Sequence, residues 1–185
     1  MNVILTGFRC SGKSSVGKTL AARLGREFID SDEFIERQTG LPIREIFERH
    51  GESHFRVIES QAIAELAKLD GKVIATGGGA VLKHKNMQAL KRNGVVVHLG
   101  VSADAAFERM REDPSTAARR PPLTGQDPYL EIREQIEFRK SYYQASADVT
   151  VATDGKKVED VVGEILAHLK ERGFEERQDM DAAPA

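Results

Sequence analysis

The chain has 185 residues, 40% of them hydrophobic, with 27 Lys+Arg against 29 Asp+Glu and a formal net charge of -2, enough for one α/β domain and too little for two. Such a balance offers no broad positive field, which excludes a nucleic-acid backbone or an anionic membrane as main partner and makes any anion site local. One Cys forms neither an internal disulfide nor a thiolate metal cage, about eighteen consecutive apolar residues never occur, and MNVILTGFRCSGK has no export-signal character, so the cytoplasm is the expected compartment.

In chain order, Val3-Ile4-Leu5 reads as a buried strand. It leads into Gly7-Phe8-Arg9-Cys10-Ser11-Gly12-Lys13-Ser14, a match to G-x-x-x-x-G-K-[ST], and an amphipathic helix over Lys13 to Leu24. Strand, loop and helix together are the context that a phosphate-binding loop requires. Its glycines let backbone N–H groups wrap phosphate oxygens, the helix N-terminus adds a favourable dipole, Lys13 bridges the β- and γ-phosphates and Ser14 ligates Mg²⁺. A nucleoside triphosphate is therefore the predicted ligand.

The second strand, Glu27 to Asp30, closes on Asp30-Ser31-Asp32. Parallel α/β folds place strand C-terminal ends around the ligand crevice, and residues two apart on an extended segment point to the same side. Asp30 is then expected to approach the metal through water and Asp32 to reach a second ligand, against the plainer reading of Asp32 as cap of a helix beginning at Glu33. Residues 32 to 54 hold two short helical patterns split by Thr39-Gly40-Leu41-Pro42. A longer helix runs from Phe55 to Leu69, with Phe55, Ile58, Ala62, Leu66 and Leu69 on one face and Arg56 beside it. Pairing with Glu52 or Glu59 on its own helix explains that arginine as well as a ligand does.

The third strand, Val73 to Ala75, ends in Gly77-Gly78-Gly79, which permits either a close backbone approach to a ligand or a tight turn. A helix over Lys85 to Asn93, a strand over Val95 to Leu99 and a helix over Ala103 to Arg111 follow. Residues 113 to 127 (DPSTAARRPPLTGQD) lack apolar periodicity and read as a mobile lid carrying Arg119 and Arg120, or as a long solvated connection. Arg139 sits in a helix ending at Tyr142-Tyr143, before a strand at Asp148 to Val151 and a helix over Val158 to Leu169. Alternating strands and helices predict a doubly wound α/β sandwich with a parallel sheet.

Taken together, GxxxxGKS, Asp-Ser-Asp closing the second strand, FRVIE at Phe55 to Glu59, the three glycines, Arg-Arg-Pro in the loop and Arg139 before Tyr143 resemble the shikimate kinase family over about residues 1 to 170. The resemblance implies a P-loop nucleoside monophosphate kinase-like fold with five parallel strands in the order 2-3-1-4-5. It implies a single domain over 1–172, a shikimate-binding region at about 32–60, a lid at about 112–126 and a flexible tail over 173–185. The implied reaction transfers a phosphoryl group from ATP to the 3-hydroxyl of shikimate, with Mg²⁺, in a monomer, as a step of chorismate and aromatic amino-acid biosynthesis.

By the same resemblance, Arg56 and Arg139 hold the shikimate carboxylate, Asp32 and the Gly78 backbone hold its ring hydroxyls, Gly77 and Gly79 belong to the same substrate-binding turn, and Phe47 and Phe55 form its walls. Asp32 also orients or deprotonates the attacking hydroxyl. Cys10, Ser11, Gly12, Lys13, Ser14 and Ser15 wrap the phosphates, Ser14 binds Mg²⁺ with Asp30 behind it, and Arg120 closes over the transferring group. Adenine lies between an arginine of the Arg109/Arg111 pair and the segment near Lys156. Three positions depart from the family pattern: Cys10 where Gly is usual, Pro122 where Leu is usual and Ser141 where Pro is usual. A gluconate-type kinase would share the loop and fold without needing two converging arginines. An ATP-binding regulatory protein with a decayed acceptor site is opposed by the presence of Lys13, Ser14, Asp30, Asp32, Arg56, Arg120 and Arg139 together.

Overall fold

Strands that are apolar on both faces have to be covered on both faces, and helical crossovers supply the cover. The computed structural model, which describes residues 1–112 and 127–173, has this arrangement. Its strands are β1 (Asn2–Thr6), β2 (Glu27–Asp30), β3 (Lys72–Ala75), β4 (Gly94–Gly100) and β5 (Val149–Ala152). They form one parallel sheet in the order β2-β3-β1-β4-β5, with Val3 of the central strand beside Val73 and Val95. The helices are α1 (Lys13–Leu24), α2 (Ser31–Thr39), α3 (Ile43–Leu66), α4 (His84–Lys91), α5 (Ala103–Glu112), α6 (Pro128–Ser146) and α7 (Val158–Glu171), with a 3₁₀ turn at Ala80–Leu82. Among the described residues no helix is long and apolar enough to cross a membrane.

Alternation along the strands sorts the core into two layers. Val3 and Leu5 pack with Leu20 of α1 and Ile165 of α7, whereas Ile4 packs with Ile63 of α3, Met87 of α4 and Tyr143 of α6. Gly17 lets α1 lie close to the sheet: a Cβ there would stand 2.3 Å from the Phe28 ring. Successive connections run first towards β2 and then towards β5, so the direction of winding switches between β1 and β3. A ligand crevice belongs outside the C-terminal ends of those two strands.

The predicted strands are all present, each within a residue of its expected ends. Three helical expectations are corrected. The helix expected from Phe55 to Leu69 is the second part of α3, which starts at Ile43, breaks at Gly51 (φ 78, ψ 171) and ends at Leu66. Beyond it Lys68 and Leu69 donate to carbonyls only three residues back, Glu65 and Leu66, so the last turn tightens out of the helix. The helix after the second strand starts at Ser31 rather than Glu33, and the Arg139 helix continues past Tyr143 to Ser146. The expected lid at 112–126, with Arg119, Arg120 and Pro122, lies outside the described residues apart from Glu112, as does the expected tail apart from Gly173.

Candidate active site

The loop between β1 and α1 wraps its own lysine. Lys13 Nζ donates to the carbonyls of Gly7 (2.9 Å) and Phe8 (2.8 Å), so the ammonium closes the loop. Gly12 caps α1 with φ 87, a conformation glycine adopts without steric cost. Cys10 adopts φ 63, so the departure at this position carries a left-handed backbone on a residue with a Cβ, at roughly 1 to 2 kcal/mol. Arg109 steadies that residue, donating from Nη1 to Cys10 O (3.0 Å) and to Thr153 Oγ1 (3.1 Å), and from Nη2 to Thr153 O (2.7 Å). Ser11 is fully buried, its Oγ 2.6 Å from where a Cβ on Gly7 would sit.

The second strand ends where expected, but its two acids divide their work differently. Asp30 is the N-cap of α2: its Oδ1 accepts from the Asp32 backbone N–H (2.9 Å), while its Oδ2 accepts from Ser14 Oγ (3.0 Å). The capping role considered for Asp32 therefore belongs to Asp30, and the two acids do not share an extended segment, because helix begins at Ser31. Asp32 stands in the first turn, against the glycine segment. A Cβ on Gly77 would lie 2.6 Å from Asp32 Oδ1 and 3.0 Å from Glu59 Oε1, so only glycine lets both carboxylates approach. Ser31 Oγ accepts from Gly77 N–H (2.9 Å) and fixes the turn beside them.

A cleft of about 540 Å³ opens along these elements. Its walls are Arg9, Cys10, Gly12, Lys13, Ser14 and Ser15 of the loop, Asp30, Asp32, Thr76, Gly77 and Gly78 at the strand ends, Glu33, Glu36, Pro42, Ile43 and Arg44 of α2 and α3, and Arg109. Ser11, Phe47, Phe55, Arg56, Gly79, Arg139 and Lys156 are not among those walls. Lys156 is ion-paired with Glu164 at 2.6 Å, and Arg120 lies outside the described residues.

Arg56 and Arg139 meet the same glycine turn from two helices. Arg56 of α3 pairs with Glu59 (2.8 Å) and Glu52 (2.9 Å), so the pairing weighed from the sequence exists. Its guanidinium also presses on Gly79, where a Cβ would come within 2.3 Å of Nη1. The two readings are compatible. Burial alone would lower the Arg56 pKa, but the Glu59 and Glu52 carboxylates outweigh it and hold the pKa raised. Arg139 of α6 donates from Nη1 to Gly78 O (3.3 Å), and Tyr143 Oη donates to the same carbonyl (2.7 Å). Phe55 is 1% exposed and its ring lies 4.7 Å from that of Phe47, so the pair is core as much as wall.

Arg9, Glu131, Tyr143 and His98 carry no role legible from sequence, and Glu59 is legible there only as a partner for Arg56. Glu59 is fully buried, one turn from Phe55 and Ala62 on the apolar face of α3. A glutamate on such a stripe is a signal in itself, since an acid is buried only with partners. His98 on β4 stacks on Tyr143 at 4.5 Å. Burial pushes its pKa down to about 4 against a backbone bond at Thr6, and the charge of Lys13 adds to the depression.

Comparison with known proteins supplies the family. The family model described as shikimate kinase matches residues 9–170. The shikimate kinase of Symbiobacterium thermophilum is 42% identical over 173 residues, covering 94% of this chain and 98% of its own. The solved shikimate kinase from Acinetobacter baumannii in complex with shikimate superposes with a TM-score of 0.86 at 36% identity, covering 94% of this chain and 95% of its own. A gluconokinase from Sinorhizobium meliloti shares the fold at TM-score 0.59 and 22% identity, covering 92% of each chain.

Proposed function

Because the chain belongs to the shikimate kinase family, its reaction is the ATP-dependent phosphorylation of shikimate, and we propose that the cleft between the phosphate loop and the Gly77–Gly79 turn is where the transfer takes place. The observation that carries the assignment is the meeting of Arg56 and Arg139, from two helices, on that one turn. Two planar guanidiniums on adjacent glycines suit a single carboxylate, which each can grip with a fork.

Phosphoryl transfer asks for positioning and charge neutralisation more than for covalent chemistry. The loop backbone from Cys10 to Ser15 wraps the phosphates, and Lys13 exchanges its two carbonyl acceptors for β- and γ-phosphate oxygens. Asp32, held against Gly77, accepts or orients the proton of the attacking hydroxyl. The Gly77–Gly79 backbone, Phe47 and Phe55 seat the ring, and Arg109 walls the nucleotide side. Lys156 reaches adenine only by leaving Glu164. Residues 32 to 60 form the acceptor region in this reading, which extends to a monomer working in the cytoplasm.

Mg²⁺ fits the donor set. A hydroxyl bonded to a carboxylate, Ser14 to Asp30, offers hard oxygen ligands, and among the described residues no cluster of three or more His, Cys, Asp or Glu competes as a separate metal cage. Ser14 would hold the ion with Asp30 behind it, and the ion would supply positive charge at the phosphates. Coupled ADP release with shikimate, with gluconate and without acceptor tests the function. Turnover with shikimate alone is expected; equal turnover with gluconate would overturn the assignment.

A further inference from the structure

Arg9 takes no part in the chemistry above, yet the structure invests in its position. It is the third residue of the phosphate loop and lines the cleft with Lys13, Asp32 and Gly78. Its Nη2 donates to Glu131 Oε1 at 3.2 Å, and the Glu131 side chain is only 3% exposed. Holding an ionised carboxylate out of water is costly unless it meets a cation, so this pair is specified rather than incidental. Glu131 stands in the first turn of α6, the helix that carries Arg139.

Further contacts set Arg9 beside Arg139 and the glycine turn. Its guanidinium lies over the Phe8 ring at 5.5 Å, and that of Arg139 lies over the same ring at 5.7 Å. Phe8, 3% exposed, is wedged against Ala106 of α5 and Ile132 of α6, which fixes the ring both cations share. The Arg9 backbone nitrogen is 3.6 Å from where a Cβ on Gly78 would sit, the same distance as Arg139 Nη1. One bond to Glu131 leaves donors of the planar group to spend, and Nε is buried with no hydrogen-bond partner among the described residues.

We propose that Arg9 is a third arginine for the carboxylate of the acceptor acid, with Glu131 the residue that positions its guanidinium beside Arg139. The inference rests on the reading of the cleft as a shikimate site. The phosphates are already served by Lys13 and the loop amides, whereas an acid entering beside Gly78 meets Arg9 and Arg139 on one ring.

Calorimetric titration of the full chain with shikimate and, separately, with ADP tests it. Arg9→Met should raise the shikimate Kd roughly tenfold or more, the scale of one charge-assisted hydrogen bond, with the ADP Kd held within about twofold. Arg9→Lys, which keeps charge without the fork, should fall between Arg9→Met and the unaltered chain, and stands in if Arg9→Met does not fold. Glu131→Gln should raise the shikimate Kd by a smaller factor, because it loosens the guanidinium without removing it. An unchanged shikimate Kd in Arg9→Met, with or without a lowered melting temperature, overturns the proposal. A Kd increase for ADP instead would place Arg9 on the nucleotide phosphates and overturn it equally. Failure of the unaltered chain to bind shikimate would bring down the shikimate reading, and this inference with it.

Discussion

The sides of the cleft proposed for nucleotide and for acceptor are built in opposite ways. Residues 7 to 15 are one continuous run in which Lys13 closes the loop on carbonyls five and six residues away, with Arg109 steadying Cys10 and Asp30 bonded to Ser14 from outside. The side proposed for the acceptor is gathered from α2, α3, the turn after β3, and α6, and is held by contacts between elements and by ion pairs: Arg56 on Glu52 and Glu59, Arg139 on Gly78 O, and Arg9 reaching across from the loop to Glu131. A contiguous site can lose a side chain and keep its frame. A site made of interlocked ions cannot lose one without stranding another.

The largest effect should come from Lys13→Ala, with turnover falling to background while shikimate affinity stays near normal, because the acceptor side does not depend on the loop lysine. Single-turnover assay with direct shikimate titration checks it, and substantial residual turnover would break the contrast. Next come the arginines. Arg56→Ala and Arg139→Ala should each weaken shikimate binding by roughly 2 to 5 kcal/mol with little change for ADP. They should differ in stability: Arg56→Ala leaves Glu59 fully buried without its cation and should lower the melting temperature further than Arg139→Ala does. Equal melting temperatures would show that Glu59 draws its support elsewhere.

A third effect is pH-dependent. The His98 pKa in the folded chain is about 4, below its ordinary value of 6.5, so the unfolded chain takes up the proton first. Stability should be complete above about pH 6.5 and decline towards pH 4, by roughly 3 kcal/mol at most. Denaturant unfolding at pH 7 and pH 5 should show the loss, and His98→Asn should flatten it. The smallest effect belongs to Cys10→Gly: relief of the left-handed backbone, worth about 1 to 2 kcal/mol, is partly offset by the greater freedom of glycine in the unfolded chain, about 0.5 to 1 kcal/mol. A melting temperature slightly raised is the expected result.

The same contrast explains what could be read in advance. Buried parallel strands are short β-branched runs, and GxxxxGKS is contiguous, so both were legible along with the strand order that the family resemblance implied. The ends of the two parts of α3 were less so: Gly51 breaks the helix, and the exposed His50, Glu52, Ser53 and His54 around it carry no apolar stripe to mark where each part stops. The full extent of α6 was hidden for a related reason: it exposes Leu130, Phe138 and Tyr142 while burying Glu131, against the usual pattern. The Arg9 to Glu131 pair spans 122 residues, and nothing local announces it. The roles of Arg56 and Arg139 were suggested only by resemblance, since an arginine flanked by glutamates on a helix has a sufficient explanation without a ligand.

Gly17 carries a consequence for engineering. Replacing glycine by alanine inside a helix ordinarily adds about 0.5 to 1 kcal/mol, and a thermostabilisation library would include the change by default. At Gly17 the new methyl would stand 2.3 Å from one edge carbon of the Phe28 ring and 2.8 Å from another, with a Leu5 methyl at 3.2 Å behind. The helix would have to back away from the sheet. Lys13 and Ser14 ride on its first turn, while Asp30 is fixed to the sheet at the end of β2, two residues beyond Phe28, so the 3.0 Å bond from Ser14 to Asp30 is a gauge of how far apart helix and sheet stand. A missing side chain thus acts as a spacer of zero thickness, and filling it would detune the site from behind without touching any residue that faces the cleft.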